Sequence, residues 1–522
     1  MRILWSSNSP FAATGYGQQT AIAARRLRVL GHDIGILCFW GLQGSKTEWG
    51  DITLYPNNAG DYGVEDVEML YKDFNADLLI TLVDVWVLRQ MPLTVKWCPW
   101  MPVDHDPIPP LVIETVKKHA GIIKPIAMSK FGMKQMSDNG VDCYYIPHTV
   151  NTELFKPDPE VRKMAREKYG WQDKFVIGTV GTNHSERKNW NAGMQAVKIF
   201  ESRHHGEIIY YMHTNLNDKR GINLAAMREN LKMQDYTRVP SIAQMNIGIP
   251  QETMAATYNV FDVFLLPTKG EGFGIPLIEA QATGVPVITT NCTAQTELMG
   301  GGWFIEKLRR EWTSQSSWQY NCEPEEVAEK LELAYQAWKD GSIKEQGDKA
   351  RAKALEYSED VVFETYWPSV LADIEQRIKQ PKNMEGVQRW RLAFVPQGIV
   401  PRKVLDLGSG LTTPYRKYLE TLGEYVAVDN RAKPDSGIIN ADAHKLPFET
   451  KSFGFVWCSE MLEHCDEPWR VVEEAKRVGV HGVILFSTPQ NPFFRLDPEH
   501  RVVNPAKVHY TTMQSGDGLI SW

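Results

Sequence analysis

Two glutamates flank a glycine-proline turn in the stretch EGFGIPLIEA. Glu271 precedes Gly272 and Gly274, and Glu279 follows Pro276, where we expect the first turn of a helix. Glycine lets a backbone approach a ligand closely, and the free N–H groups of a helix start favour a phosphate. Because a bound diphosphate would repel carboxylates, both acids are expected to meet sugar hydroxyls. The alternative is that the acids only complement the helix dipole.

A histidine with an acid on each side is the second candidate. His105 lies between Asp104 and Asp106 in WMPVDHDPIP, after an apolar run. Histidine exchanges a proton near neutral pH, and either aspartate could orient its ring or cap the turn. A lone histidine can equally be structural. The triplet also matches a D-x-D metal motif, but no acidic cluster surrounds it, so no metal is expected.

Three strand and glycine-loop starts must position these residues. The first runs from Arg2 through ATGYGQQT into an apolar-periodic helix, with Gly15 and Gly17 in its loop. The pattern restarts at Phe175, and the glutamate turn follows late in this second part. A third start, VLDLGSG, begins at Val404. We therefore expect an α/β chain with three Rossmann-like units.

Composition narrows the class of protein. A length of 522 residues predicts roughly three domains, and a net charge of -7 provides no general attraction to nucleic acid. The seven cysteines are scattered without C-x-x-C pairs, which favours a reducing cytoplasm over a disulfide or zinc framework. The sequence contains no apolar run long enough to predict a membrane span. We expect a cytoplasmic protein and leave its oligomeric state open.

The stretch EGFGIPLIEAQATGVPVI resembles the E-x7-E signature of glycosyltransferase family 4. Members of that family are retaining enzymes of the GT-B fold that use nucleotide sugars. Other segments agree in order and spacing, namely ATGYGQQT followed by LGHDI, YIPHTVNTELFKP, GTVGTNHSERKNW and VFDVFLLPTKGEGFG. The resemblance covers roughly residues 1 to 380. It implies a GT-B arrangement of two Rossmann-like domains.

The same resemblance implies roles for the residues of the glutamate turn. Glu271 would contact the donor sugar, and Glu279 would contact the ribose. The amides around Gly272, Phe273 and Gly274 would bind the pyrophosphate region. A nucleotide sugar is therefore the expected co-substrate.

Charged residues outside the turn would assist departure of the diphosphate. The resemblance implies that Arg187 and Lys188 neutralise this leaving group and that His105 lies near the reacting carbon. Family members commonly carry an arginine earlier in the same loop, where this chain has Thr182 and Asn183. Arg187 is the expected substitute.

The implied reaction is a retaining transfer to a glycan or other hydroxyl acceptor. The acceptor would attack from the face that the nucleotide leaves, and the departing phosphate would take the proton. Neither a protein nucleophile nor a metal is then needed. Gly15 and Gly17 would line the cleft from the other side, and residues 236–251 are expected near the base.

The third start resembles the class I S-adenosylmethionine-dependent methyltransferases. VLDLGSG is followed by a second strand that ends in Asp429, and ADAHKLPFETKSFGFVWCSEMLEH and RVGVHGVILFSTPQN support the likeness. A nicotinamide-binding domain is the alternative, but Thr413 stands where its third glycine would be. The residues implied in S-adenosylmethionine binding are Asp406, Gly408, Gly410, Asp429, Asp442 and Ala443.

This domain departs from the family pattern in two respects. Gly454 stands where an aspartate is usual, and only a short tail follows Thr488. The domain is therefore expected to bind the cofactor but to lack part of its C-terminal end. Glu460, Glu463 and His464 would lie near a substrate, although such residues are equally ordinary on a surface.

The expected organisation has four segments. They are a GT-B N-terminal acceptor-side domain (1–156), a nucleotide-sugar-binding domain (157–357), a crossover helix with a linker (358–386), and a methyltransferase-like domain (387–522). The predicted function is sugar transfer from a nucleotide sugar, with an appended methyltransferase that could methylate the product. The alternatives are a non-catalytic carbohydrate-binding or assembly protein and a GT-B nucleotide-sugar hydrolase or phosphorylase.

Overall fold

The chain forms two compact units, Met1–Pro381 and Lys382–Trp522. The computed structural model describes residues 1–379 except 59, 93 and 120–122, and residues 403–486 except 412, 414, 460, 462–464, 466 and 481–482. Across these ranges, no helix combines the length and the apolar character needed to cross a membrane.

The first unit begins with an eight-stranded sheet. Its strands are β1 (Arg2–Asn8), β2 (Asp33–Trp40), β3 (Thr47–Trp49), β4 (Ile52–Pro56), β5 (Leu78–Leu82), β6 (Trp97–Met101), β7 (Ile126–Ala127) and β8 (Tyr144–Tyr145). The spatial order is β3-β4-β2-β1-β5-β6-β7-β8, parallel except for the β3–β4 pair. Its helices are α1 (Gly15–Val29), α2 (Val64–Asp73), α3 (Pro110–His119) and α4 (Lys130–Asp138).

A second, parallel sheet forms the other half of this unit. Its strands are β9 (Phe175–Val180), β10 (Ile208–His213), β11 (Thr237–Arg238), β12 (Val263–Leu266), β13 (Val287–Thr290) and β14 (Gly302–Ile305), in the order β11-β10-β9-β12-β13-β14. The surrounding helices are α5 (Pro159–Tyr169), α6 (Trp190–Glu201), α7 (Leu224–Asn230), α8 (Ile242–Ile247), α9 (Gln251–Asn259), α10 (Ile275–Ala282), α11 (Gln295–Leu298), α12 (Pro324–Asp340) and α13 (Ile343–Leu355). The central strands are buried along their length because helices cover both faces of a parallel sheet.

The chain then returns to the first half of the unit. Helices α14 (Glu359–Thr365) and α15 (Trp367–Lys379) follow α13, and the ring of Trp367 packs against Trp100 of β6 at a centroid distance of 5.6 Å. Pro368 lies in the first turn of α15, where the missing N–H breaks no helical hydrogen bond. The two halves of the first unit are therefore joined by packing as well as by the chain.

Between β14 and α12 the chain forms a two-stranded antiparallel hairpin. Its strands are β15 (Leu308–Trp312) and β16 (Trp318–Cys322), paired from Leu308↔Cys322 to Trp312↔Trp318.

The second unit contains a four-stranded parallel sheet. Its strands are β17 (Lys403–Leu407), β18 (Glu424–Val428), β19 (Phe455–Ser459) and β20 (Val483–Phe486), in the order β18-β17-β19-β20, with helices α16 (Arg416–Leu419) and α17 (Pro468–Val478). The predicted α/β class is confirmed in both units. The tail after Thr488 lies outside the described residues.

Candidate active site

Glu271 lies in the loop between β12 and α10, and two cations hold its carboxylate. Arg187 Nη1 donates a hydrogen bond to Glu271 Oε2 at 2.8 Å, and Lys188 Nζ donates to Oε1 at 2.7 Å. The Glu271 amide donates to Thr293 Oγ1 at 2.9 Å. The structure thus brings Glu271 together with the adjacent Arg187 and Lys188, although at least 83 residues separate them in the chain. Glu271 and Lys188 are buried, and Arg187 is half-buried.

Charge sets the ionisation of this cluster. Burial alone would raise the pKa of Glu271, but the charges of Arg187 and Lys188 outweigh it and lower the pKa to about 2. Burial lowers the pKa of Lys188, although Glu271 acts against this change. The Glu271 carboxylate is therefore ionised at neutral pH and accepts hydrogen bonds.

Arg187 also reaches the first half of the unit. Its Nε lies 3.4 Å from Asp104 Oδ2, and Asp104 Oδ1 lies 2.6 Å from His105 Nδ1. Because an ionised carboxylate only accepts hydrogen bonds, this contact places a proton on Nδ1 of His105. Of the two roles considered for Asp104, orientation of the histidine ring is the one its geometry favours. A continuous polar chain therefore runs from His105 to Glu271.

Two residues that sequence reasoning missed share this environment. Burial, and next the charge of Asp104, raise the pKa of Asp84 to about 6. Burial, and then the charge of Asp84, raise the pKa of Tyr16 well above its ordinary value. Asp84 follows β5, and Tyr16 lies in the first turn of α1, which follows β1, so both lie beyond the carboxyl ends of neighbouring strands. That position was the available signal, because parallel α/β sheets bind ligands at this edge.

Glu279 lies within α10, where its side chain is buried away from the cluster of Glu271, Arg187 and Lys188. It lies one residue further from the helix start than predicted and so falls in the second turn, because Gly274 is the N-cap and Ile275, not Pro276, is the first helical residue. Tyr258 Oη donates a hydrogen bond to Glu279 Oε2 at 2.8 Å. Burial raises the pKa of Glu279 to about 7, although the Tyr258 hydrogen bond acts in the opposite direction. The two glutamates of the motif therefore have opposite ionisation behaviour.

Glycines allow the loops of the two halves to touch. A Cβ on Gly272 would lie 2.2 Å from Pro102 Cβ, and a Cβ on Gly270 would lie 2.2 Å from the Asp104 carbonyl oxygen. A Cβ on Gly15 would lie 3.1 Å from the Ile275 side chain at the start of α10. At these three positions the absence of a side chain thus allows two protein segments to approach each other closely.

Two further donor-site candidates have structural roles of their own. The Gly17 amide donates to the N-cap hydroxyl of Thr14, and a Cβ on Gly17 would lie 2.3 Å from the Ala12 carbonyl oxygen. The Phe273 ring is buried against His148 at a centroid distance of 5.3 Å. The Phe273 side chain therefore packs inside the protein, and Gly274 has a φ of 114°, which favours glycine.

The second unit brings its candidates to the carboxyl ends of β17 and β18. Gly408 and Gly410 have φ values of 71° and 65°, and the Gly410 amide donates to Asp429 Oδ2 at 3.0 Å. Arg431 donates to the same carboxylate through its backbone and side chain. A carboxylate beside a glycine turn fits a ribose that carries two hydroxyls.

The remaining candidates of this unit are dispersed. Asp406 accepts a hydrogen bond from Tyr425 at 2.7 Å, and burial raises its pKa to about 7. Asp442 is exposed and accepts from the His444 amide, while Ala443 is half-buried beside the core. Glu460, Glu463 and His464 lie outside the described residues. Among the residues that are described, no group of three or more His, Cys, Asp or Glu side chains is arranged to hold a metal.

Two family descriptions match separate parts of the chain. Residues 174–330 match "Glycosyl transferases group 1", and residues 405–487 match "Methyltransferase domain". The predicted combination of a glycosyltransferase and a methyltransferase region is therefore confirmed.

Curated relatives are similar over parts of their length. A GDP-mannose-dependent alpha-(1-6)-phosphatidylinositol monomannoside mannosyltransferase of Mycolicibacterium smegmatis is 29% identical over 28% of this chain and 37% of its own. The capsular polysaccharide biosynthesis glycosyltransferase CapM of Staphylococcus aureus is 53% identical over 25% of this chain and 31% of its own. The demethylmenaquinone methyltransferase of Renibacterium salmoninarum is 34% identical over 22% of this chain and 54% of its own. The matched regions thus span between about a third and about half of these proteins.

Solved structures share the fold of the first unit. A glycosyltransferase from Rickettsia africae has a TM-score of 0.54 at 17% identity and covers 73% of this chain and 99% of its own. The Anabaena protein HepE in complex with UDP and glucose has a TM-score of 0.54 at 13% identity and covers 72% of this chain and 100% of its own. The predicted GT-B fold is confirmed by these neighbours.

Proposed function

We propose that this chain, with its glycosyl transferases group 1 segment and its methyltransferase domain, is a retaining glycosyltransferase of family 4 type. It moves a sugar from a nucleotide-sugar donor to a glycan or other hydroxyl acceptor. The observation that carries the proposal is the buried cluster of Glu271, Arg187 and Lys188, linked through Asp104 to His105. Such a cluster places carboxylate oxygens, which accept hydrogen bonds from sugar hydroxyls, next to the positive charges of Arg187 and Lys188.

The charges of the cluster suit loss of a diphosphate. The acceptor oxygen forms a bond to the anomeric carbon while the bond from that carbon to the diphosphate oxygen breaks, and the acceptor proton passes to the departing phosphate. Arg187 and Lys188 stabilise the charge that develops on the phosphate. Glu271 orients the donor sugar through its hydroxyls, and Glu279 receives the ribose.

His105 and Asp104 complete the arrangement from the acceptor side. Because Asp104 accepts a hydrogen bond from the Nδ1–H group, the His105 ring is held in one orientation, which we propose is near the reacting carbon. We assign no proton transfer to His105, since the leaving phosphate takes the proton.

The second unit is proposed to bind S-adenosylmethionine. Asp429 would accept hydrogen bonds from the ribose hydroxyls, the turn with Gly408 and Gly410 would lie against the methionine part, and Asp442 and Ala443 would lie by the adenine. The bound cofactor would supply a methyl group to a nucleophilic atom of the glycosylated product. Both reactions are proposed to occur in the cytoplasm, a location supported by the scattered spacing of the seven cysteines, which form no C-x-x-C pair in the sequence.

Thermal unfolding with UDP-, GDP-, ADP- and TDP-sugars tests the first proposal. One nucleotide sugar should raise the melting temperature of the full chain by mass action, and Glu279→Ala should lose that effect. Glu449→Ala, an exposed position in the second unit, serves as the control. If no nucleotide sugar stabilises the wild type, a carbohydrate-binding or assembly role replaces transfer. Release of sugar to water, or dependence on free phosphate, would instead identify a hydrolase or a phosphorylase.

A further inference from the structure

The hairpin of β15 and β16 contacts the loop that leads to Glu271. The Tyr320 amide donates to the Lys269 carbonyl at 2.9 Å, and Lys269 Nζ pairs with Glu311 at 2.7 Å. Asn189 donates to the Asn321 side chain at 3.0 Å. The hairpin is thus attached to the proposed donor side of the cluster.

The same hairpin also contacts the loop that follows His105. The Asp106 amide donates to the Trp318 carbonyl at 3.0 Å, and the Tyr320 hydroxyl donates to the Asp106 carboxylate. The Ser317 hydroxyl donates to the Pro107 carbonyl. Because these contacts begin one residue after His105, the hairpin lies beside the proposed reaction centre.

One face of the hairpin has the side chains of a sugar-binding surface. Residues directly opposite in an antiparallel pair share a face, so Arg310 and Tyr320 lie on the same side as Trp312 and Trp318. Trp312 is 57% exposed, and its ring packs against Trp318 at 4.7 Å with an interplanar angle of 72°. The Arg310 side chain is 60% exposed, and its contact with the Asp106 carboxylate is 3.9 Å long.

This surface is held in place before a ligand arrives. The Thr313 amide donates to the Ser317 carbonyl at 2.9 Å, and the Ser316 amide donates to the Thr313 carbonyl at 3.1 Å. These bonds close the turn next to Trp312. A single exposed aromatic residue needs no explanation, but a fixed tryptophan beside an exposed guanidinium does offer both an apolar face and hydrogen-bond donors.

We propose that this face of the hairpin is a recognition subsite for a glycan acceptor. A sugar ring of the acceptor packs its C–H face on Trp312, and Arg310 donates hydrogen bonds to the oxygens of that ring. The subsite rests on the proposed glycosyltransferase function and specifies its acceptor as a saccharide chain. The anchoring of the hairpin to Asp106 places the bound sugar near His105.

Fluorine NMR of the full chain labelled with fluorotryptophan tests the subsite directly. The Trp312 resonance is assigned by its loss in Trp312→Phe, and the probes are mannotriose, maltotriose and chitotriose, each without nucleotide sugar. At least one trisaccharide should shift the Trp312 resonance. Arg310→Gln should weaken this binding by about tenfold, the loss expected from one good polar contact.

Arg309→Gln is the matched control. Arg309 lies on the opposite face of the hairpin and forms an ion pair with Glu323. Its substitution should therefore leave the trisaccharide titration unchanged. With a trisaccharide that serves as acceptor, Trp312→Ala should raise the acceptor KM by about tenfold without changing the donor KM, and Trp312→Phe should restore part of the loss.

The subsite is overturned if no trisaccharide shifts the Trp312 resonance, or if Trp312→Ala and Arg310→Gln bind and use the acceptor as the wild type does. Failure of the proposed function has a different signature. In that case no nucleotide sugar raises the melting temperature, whatever the trisaccharides do to Trp312.

Discussion

The Nε atom of Arg187 lies 3.4 Å from Asp104 Oδ2, and this pair joins the two halves of the first unit. The same guanidinium holds Glu271 at 2.8 Å. Arg187 therefore carries the charge contact between the proposed donor side and the loop of His105.

Removal of the Arg187 charge should lower kcat strongly. Arg187→Met should reduce kcat by about a hundredfold or more, since a donor aimed at the developing phosphate charge is lost. The kcat of Arg187→Lys should lie between that of the wild type and that of Arg187→Met, because lysine keeps the charge but lacks the planar guanidinium group. Steady-state transfer assays measure the effect, with the ligand-free melting temperature as a control for folding. A Met variant with wild-type kcat would remove Arg187 from the mechanism.

The buried Glu279 should make stability depend on pH. Its pKa is raised from 4.5 to about 7, so between these values the folded protein keeps a proton that the unfolded chain has released. Stability should therefore fall as pH rises through this window, by up to about 3 kcal/mol from this group. Glu279→Gln removes the effect, so its stability relative to wild type should rise between pH 5 and pH 8 in urea unfolding. A constant difference would contradict the raised pKa.

Tyr258 should set the pH at which the donor binds. Its hydrogen bond favours the ionised form of Glu279, which is the form that accepts ribose hydroxyls. Tyr258→Phe should therefore move the midpoint of nucleotide-sugar binding to higher pH and leave affinity well above the midpoint little changed. Calorimetric titrations across the pH range measure this shift. An equal loss of affinity at every pH would indicate a packing role instead.

Asp429 should be required for cofactor binding alone. Asp429→Ala should abolish the rise in melting temperature caused by S-adenosylmethionine, since two ribose hydroxyls lose their acceptor. Nucleotide-sugar binding should be unchanged in this variant, because the proposed nucleotide-sugar site lies in the first compact unit and Asp429 lies in the second. Glu449→Ala is the control. Unaltered cofactor binding in the Asp429 variant would reject the proposed ribose contact.

Local pattern was sufficient to predict the strand and glycine-loop starts at Arg2, Phe175 and Val404. An apolar run followed by glycines indicates a strand that leads into a tight loop, because the backbone conformation there depends mainly on residues adjacent in the chain. The pattern around Glu271 and Glu279 also identified the candidate turn, although the helix begins at Ile275, one residue earlier than predicted, and Glu279 falls in its second turn. The two family regions were predicted from the resemblance of their motifs to known families.

Tertiary packing decided how these residues interact. The pairing of Glu271 with Arg187 and Lys188, the burial of Glu279 against Tyr258, and the inclusion of Asp84 join positions far apart in the sequence. Their ionisation depends on distance and on exclusion of water, and neither quantity is encoded in local spacing. Two similar glutamates thus acquire opposite pKa shifts, because two cations outweigh the effect of burial at Glu271, whereas burial dominates at Glu279.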